Sequence, residues 1–226
     1  MKPKTLDRRT ALKSAAALAA LAALPACAEN GGGKTAQNTA ASSAWAGNDA
    51  PKNSGQAPVK TLLIASHPYP EQSVMIKGLQ EAAAGVGNVT IRNLESIYGF
   101  DTRAINAEKE REITRAHRRL VFLFPTHWYN ITPMMKAYLN DTWGSGGIGR
   151  GLLQGKEMLV VSTAAAGSGT YGKNGRLGVE LADVFLPMKA SAVYCGMNYL
   201  PPLVFQSVSA GRLPEYQKAL VGRLCR

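Results

Sequence analysis

The sequence predicts a three-layer α/β sandwich whose central sheet has five parallel strands in the order 2-1-3-4-5. Three observations lead there. Continuous apolar runs over 59–66, 119–125 and 157–163 have the length of strands buried on both faces. Segments of helical periodicity separate them, so strands and helices alternate. The runs are punctuated by turn residues, as the first is by Pro58 and Pro68.

The elements follow in order. Val59–Ser66 is the first strand, and 73–85 is a helix with Val74, Ile76, Leu79, Ala82 and Ala83 on its apolar face. Asn88–Leu94 alternates and reads as the second strand. Asn106–Arg118 is a charged amphipathic helix, and Arg119–Pro125 the third strand. Thr132–Trp143 is a helix, with Thr132 as its cap and Pro133 at its first position. Glu157–Thr163 is the fourth strand, Leu177–Met188 a helix, Ala192–Met197 the fifth strand and Arg212–Leu224 the last helix. In this strand order, ligands bind at the carboxyl ends of strands one and three, where the winding reverses.

At 226 residues the chain suits one domain with a core of its own. Hydrophobic residues make up 46% and charged residues 18%, which excludes a wholly disordered chain. The net charge is +11, but Lys2, Lys4, Arg8, Arg9 and Lys13 supply part of it, and beyond position 27 the chain holds 21 basic and 14 acidic residues. The densest cluster, Arg111, Arg115, Arg118 and Arg119, alternates with Glu108, Glu110 and Glu112, a solvated helix face rather than a nucleic-acid surface. Cys27, Cys195 and Cys225 form neither a disulfide framework nor a zinc spacing, so no metal site is expected.

Residues 1–28 read as an export signal. A basic stretch precedes the small apolar run from Ser14 to Leu24, too short to span a bilayer. Arg8-Arg9 followed by Leu12 and Lys13 resembles a twin-arginine (Tat) signal. Leu24-Pro25-Ala26-Cys27 resembles a lipobox with Cys27 lipidated; the alternative is an A-x-A cleavage site across Ala26-Cys27-Ala28. Residues 29–58, rich in Gly, Asn, Ala and Ser, read as a flexible linker to a domain spanning 59–226. The expected location is periplasmic, or anchored to the membrane as a lipoprotein.

Three loops stand at the switch point. The first, Ser66 to Ser73, leads into a helix N-terminus, a natural anion site where Ser73 can cap or donate to a phosphate and His67 adds a donor. The second, Pro125-Thr126-His127-Trp128-Tyr129-Asn130, puts two adjacent aromatics just past a buried strand, as a flat, mostly apolar ring requires. The third, Ser162 to Tyr171, is made of small residues that let backbone amides approach a ligand. Gly144-x-Gly146-x-x-Gly149 matches a dinucleotide fingerprint in spacing but follows a helix, so it is rejected.

The strings SHPYPEQS, FPTHWYNITPMMKAYLNDTW, STAAAGSGTYG and YCGMNYLPP resemble the NAD(P)H:quinone oxidoreductases, the family of DT-diaphorase and the ancillary quinone reductases of potassium efflux systems. The resemblance implies a flavodoxin-like fold, FMN (alternatively FAD) as cofactor, NAD(P)H as co-substrate, a quinone or other small acceptor, and a homodimer. By the same resemblance, His67 and Ser73 hold the flavin phosphate with the amides of Val74, Met75 and Ile76. Pro125, Thr126, His127, Trp128 and Tyr129 line the ring, and Ser162, Thr163, Ala164 and Ala165 lie along its pyrimidine edge. Tyr171 stabilises charge on the reduced flavin, and Tyr171, Trp128 and Tyr129 are the expected catalytic residues.

This chain departs from the family where Ile76 replaces an asparagine and Ala164-Ala165 replace two glycines. Two alternatives therefore stand beside the quinone reductase: an exported flavodoxin-like electron carrier, and a flavodoxin-like binding module that has lost its cofactor.

Overall fold

In the computed structural model, residues 58–144 and 151–226 are described. The expected signal, its twin arginines, the Cys27 lipobox and nearly all of the linker lie outside the described residues, as do Gly146 and Gly149.

Strands β1 (Thr61–Ala65), β2 (Val89–Asn93), β3 (Arg119–Pro125), β4 (Glu157–Thr163) and β5 (Asn198–Tyr199) form a parallel sheet in the order β2-β1-β3-β4-β5. A sixth strand, β6 (Leu203–Phe205), also pairs with β4. The order read from the sequence is thus observed, with one further strand. Every residue of β1 is buried, and β3 and β4 are buried almost throughout, so they present an apolar side chain to each face. Leu62, Ile64, Leu120, Phe122, Phe124, Met158 and Val160 point to one layer. Leu63, Ala65, Val121, Leu123, Leu159 and Val161 point to the other.

The first layer is closed by α4 (Pro133–Trp143) and α5 (Leu186–Tyr194), with Trp143 edge-on to Phe122 and Phe185 edge-on to Phe124. As expected, Thr132 caps α4 by accepting the amide of Met135, and Pro133 occupies the first turn. The second layer is closed by α1 (Val74–Ala84) and α6 (Leu213–Leu224), which bury Ile76, Leu79 and Ala83 beside Tyr216, Leu220 and Leu224. The helices meet at Gly78, whose carbonyl accepts from Gln217 Nε2 at 2.8 Å.

Three sequence expectations are corrected. The charged helix is α3 (Ala107–Arg115), but Glu110 is fully buried, paired with Arg92 on β2 and with the Tyr98 hydroxyl on a short helix α2 (Leu94–Tyr98) that the sequence did not announce. Arg111 on α3 donates to the carbonyls of Thr142 and Asp141 at the end of α4. The helix expected over 177–188 begins only at Leu186, after a 3-10 turn at Asp183–Phe185. Its first residues serve instead as the outer limb of a loop: Leu177 N–H donates to Thr170 O, and Gly172 N–H to Val179 O.

The fifth strand expected over 192–197 is instead the end of α5. A short apolar run does not distinguish strand from helix by itself. The chain reverses at Gly196 (φ 72°), a left-handed conformation that suits glycine. The edge then comes as two short strands, because Pro201-Pro202 cannot donate to a ladder.

A Cβ built on Gly78 lies 2.5 Å from Leu213 Cδ2. Gly78→Val should therefore push the Leu213 side chain aside, crowd the contact between α1 and α6, and cost about 1 kcal/mol. The check is a urea titration, with a lower midpoint at unchanged slope.

Candidate functional site

The carboxyl ends of β1, β3 and β4 reach the same edge of the sheet because the strands are in parallel register, Ala65 opposite Leu123 and Pro125 opposite Thr163. The last ladder bonds run into the loops: Ser66 N–H donates to Leu123 O at 3.0 Å, and Thr126 N–H to Thr163 O at 2.7 Å. The three loops singled out in the sequence therefore start side by side.

The first loop passes through a 3-10 turn at Pro70–Gln72 into α1. Ser73 occupies the cap position, yet its hydroxyl makes no capping bond, is buried and has no partner among the described residues. The sequence reading of Ser73 as a side-chain cap is thus corrected. The amides of the first turn, Val74, Met75 and Ile76, have no acceptor within the helix, as at any helix start. The Ile76 side chain is buried against the sheet, so only its backbone faces the loop, while Val74 is exposed. A buried hydroxyl without a partner beside free amides at a positive helix end fits an oxyanion such as a phosphate.

His67 in the same loop accepts the Tyr69 amide at Nδ1, at 2.9 Å. Burial lowers its pKa, and the nearby His127 adds to the effect. The ring is therefore neutral near pH 7 and carries its proton on Nε2.

The second loop is a two-residue turn. His127 and Asn130 exchange backbone bonds of 2.9 and 3.0 Å, with Trp128 at φ 47° and Tyr129 at φ 58° between them. Positive φ at both central positions is the type I′ arrangement, which favours Asn-Gly. Two bulky aromatics hold it here at a cost of roughly 1–2 kcal/mol each. Trp128 is 85% exposed. Strain and exposure of this kind are characteristic of positions that meet a ligand.

In the third loop, Ser162 and Thr163 are buried at the strand end, and Ser162 Oγ lies 3.0 Å from Thr126 Oγ1. The amide of Ala164 is spent on Phe205 O at 2.8 Å. Ala164 is therefore not an amide donor to a ligand, and its side chain packs into the core. Two edge-on ring contacts tie the loops together, Tyr69 to His127 at 6.4 Å and Tyr129 to Tyr171 at 6.3 Å. Tyr171 is buried; burial first, then Tyr129, raises its pKa, so the phenol keeps its proton at neutral pH and remains a donor.

Between the second and third loops lies a cleft of about 290 Å³. It is lined by Thr126, His127, Trp128, Tyr129, Ala164, Ala165 and Tyr171, and by Ala166, which the sequence reading passed over. Pro125, Ser162 and Thr163 end the strands beneath it, and His67, Ser73, Val74, Met75 and Ile76 stand to one side at the α1 terminus. The site thus has an aromatic cleft and, apart from it, a corner at the start of α1 whose groups suit an anion. The sequence reading also missed Glu95 and the Ser66 hydroxyl that donates to it at 2.6 Å, because a lone glutamate after a strand carries no local signal.

The sequence profile of the flavodoxin-like fold family matches residues 59–223, and the chain belongs to that family. It is 32% identical to general stress protein 14 of Bacillus subtilis over 172 residues, 70% of this chain and 97% of that protein. It is 30% identical to the uncharacterized NAD(P)H oxidoreductase YrkL of the same organism over 175 residues, 71% of this chain and 99% of the relative. The crystal structure of general stress protein 14 from Treponema denticola, in complex with FMN, superposes with a TM-score of 0.68 at 25% identity, covering 73% of this chain and 97% of the other.

These relatives correct one expectation. They are matched over nearly their whole length, and they bear the names of a general stress protein and an uncharacterized NAD(P)H oxidoreductase, neither of which points to export. The placement of this protein outside the cytoplasmic membrane is therefore withdrawn.

Two outcomes are expected at this site. Tyr129→Gly should relieve the turn and raise stability by about 1 kcal/mol, read as a higher urea midpoint. His67 resists protonation in the folded state. Its contribution to stability is present above the unfolded histidine pKa and is lost as pH falls through the unfolded and then the folded value. His67→Gln should flatten that loss, so the stability difference from the unmutated chain should narrow between about pH 7 and about pH 5.

Proposed function

We propose that this member of the flavodoxin-like family is an FMN-dependent NAD(P)H oxidoreductase that passes two electrons to a quinone or a related small acceptor. The observation that carries the reading is the pairing of an aromatic cleft with an unspent Ser73 hydroxyl at the start of α1. A flavin mononucleotide has an apolar ring at one end and a phosphate at the other, and these two features suit the two ends. The FMN complex of the Treponema relative and the NAD(P)H oxidoreductase among the Bacillus relatives support the same assignment, and favour FMN over FAD.

In this reading, Ser73, His67 Nε2–H and the amides of Val74, Met75 and Ile76 bind the phosphate. The burial of the Ile76 side chain explains why the loss of the family's asparagine leaves those amides in place. Thr126 to Tyr129 hold the ring, with Trp128 and Tyr129 as its aromatic wall. Ala165 and Ala166 offer backbone donors to its polar edge in place of Ala164, with Ser162 and Thr163 beneath. The Tyr171 phenol, kept protonated by its surroundings, donates toward charge that builds on the ring. When bound there, a flavin supplies the chemistry, accepting a hydride from NAD(P)H and delivering two electrons onward. A second copy of the chain as partner belongs to the same reading.

The test is direct. The purified protein, reconstituted with FMN, should be yellow, bleach on NADH or NADPH, and recover its colour on adding a quinone. A colourless protein that takes up no FMN would point to the binding module instead. Trp128→Ala should lower FMN occupancy; full occupancy in that variant would show that the ring lies elsewhere.

A further inference from the structure

Beneath the first loop, three buried side chains form a hydrogen-bond chain that the reading above does not use. The Ser66 hydroxyl donates to Glu95 Oε1 at 2.6 Å and is also bonded to the Thr132 hydroxyl. Thr132 Oγ1 in turn accepts the Met135 amide at 3.3 Å. The donors therefore run in one direction, from Met135 N–H through Thr132 and Ser66 to the Glu95 carboxyl. Burial raises the Glu95 pKa, opposed by the Ser66 hydroxyl and by the nearby backbone of Glu95 and His67, and Oε2 has no partner among the described residues. The three side chains come from the end of β1, the start of α2 and the cap of α4, and none is more than 7% exposed.

The chain is asymmetric. At one end Thr132 caps α4 whether or not Glu95 is present. The second loop has its own anchors in the His127–Asn130 pair and the Thr126–Thr163 bond. At the other end, the Ser66 hydroxyl has Glu95 as its acceptor, and Ser66 and His67 lead directly into the turn that ends at Ser73. Removing the carboxyl therefore releases the first loop and leaves the second in place. A buried hydroxyl without its acceptor is costly, so the loop would move to satisfy it.

We propose that Glu95 is a positioning residue for the anion corner: it fixes Ser66 and His67 so that the start of α1 and the Ser73 hydroxyl face a phosphate, without touching the cleft that holds the ring. The inference rests on the flavin reading, and it predicts a selective effect. Glu95 should matter for a phosphorylated flavin and hardly for the same ring without its phosphate.

The experiment compares FMN with riboflavin, which has the ring and sugar chain but no phosphate, by fluorescence titration of the full chain. The unmutated chain should prefer FMN. Glu95→Ala should weaken FMN by about tenfold or more, the loss of a hydrogen bond to a buried acceptor, and riboflavin by less than about twofold. Glu95→Gln keeps an acceptor oxygen for Ser66 and should stay within about threefold of the unmutated chain for both flavins. If Glu95→Ala does not fold, as judged by circular dichroism, Ser66→Ala takes its place with the same expected selectivity. Equal losses for the two flavins, unchanged FMN binding, or a Gln variant as weak as the Ala variant each overturn the proposal. So does an unmutated chain that binds riboflavin as tightly as FMN, while the flavin reading itself survives. An unmutated chain that binds neither flavin overturns both.

Discussion

The central strands β1, β3 and β4 have no polar face, and the rest of the structure depends on that constraint. With side chains buried toward both layers, their backbone groups are satisfied only within the ladder, and helices must cover both sides. Parallel pairing then sends all three carboxyl ends to one edge. There the ladder stops while the chain is still enclosed, so donors and acceptors must find partners in the loops. The ends of β1 and β3 do so across strands, through Ser66 with Leu123 and Thr126 with Thr163. Polar groups left over at this edge are the raw material of a binding site.

The same edge concentrates features that cost stability. Trp128 and Tyr129 occupy left-handed backbone conformations that glycine would adopt freely. The Ser73 hydroxyl and Glu95 Oε2 are buried without partners among the described residues. At the opposite end of the sheet Arg119 meets Glu157 at 2.7 Å, and Arg111 bonds the closing carbonyls of α4. Two adjacent aromatics in left-handed backbone at the strand ends are strain of the kind that gathers where a ligand is met. The two edge-on aromatic contacts, Tyr69 with His127 and Tyr129 with Tyr171, let three loops of different origin act as one wall.

How far the sequence could be read depended on how local each signal was. The spans of β3 and β4 and the capped start of α4 were legible because apolar runs, Thr132 and Pro133 act through near neighbours. The sheet edge beyond β4 was not. The exposed apolar residues Val193 and Tyr194 at the end of α5 look like strand residues in sequence, and the true edge is divided around Pro201-Pro202. The segment from Leu177 was misread for a related reason: its backbone bonds are made to Thr170 and Gly172, and no periodicity records that pairing. At the site, aromatic and small-residue loops were visible as composition. The spent amide of Ala164 was not, since its acceptor, Phe205, lies far along the chain.

The sequence by itself determined the layered α/β architecture, the strand order and the three loops at the switch point, because burial on both faces and local turn chemistry are written in neighbouring residues. The tertiary structure decided what each loop residue is free to do. It left Ser73 without a partner among the described residues, turned Ile76 into the core, spent Ala164 on β6, strained Trp128 and Tyr129, and placed Glu95 beneath Ser66 and His67. Those outcomes depend on which distant group arrives to accept or donate, and only the folded chain brings the two together.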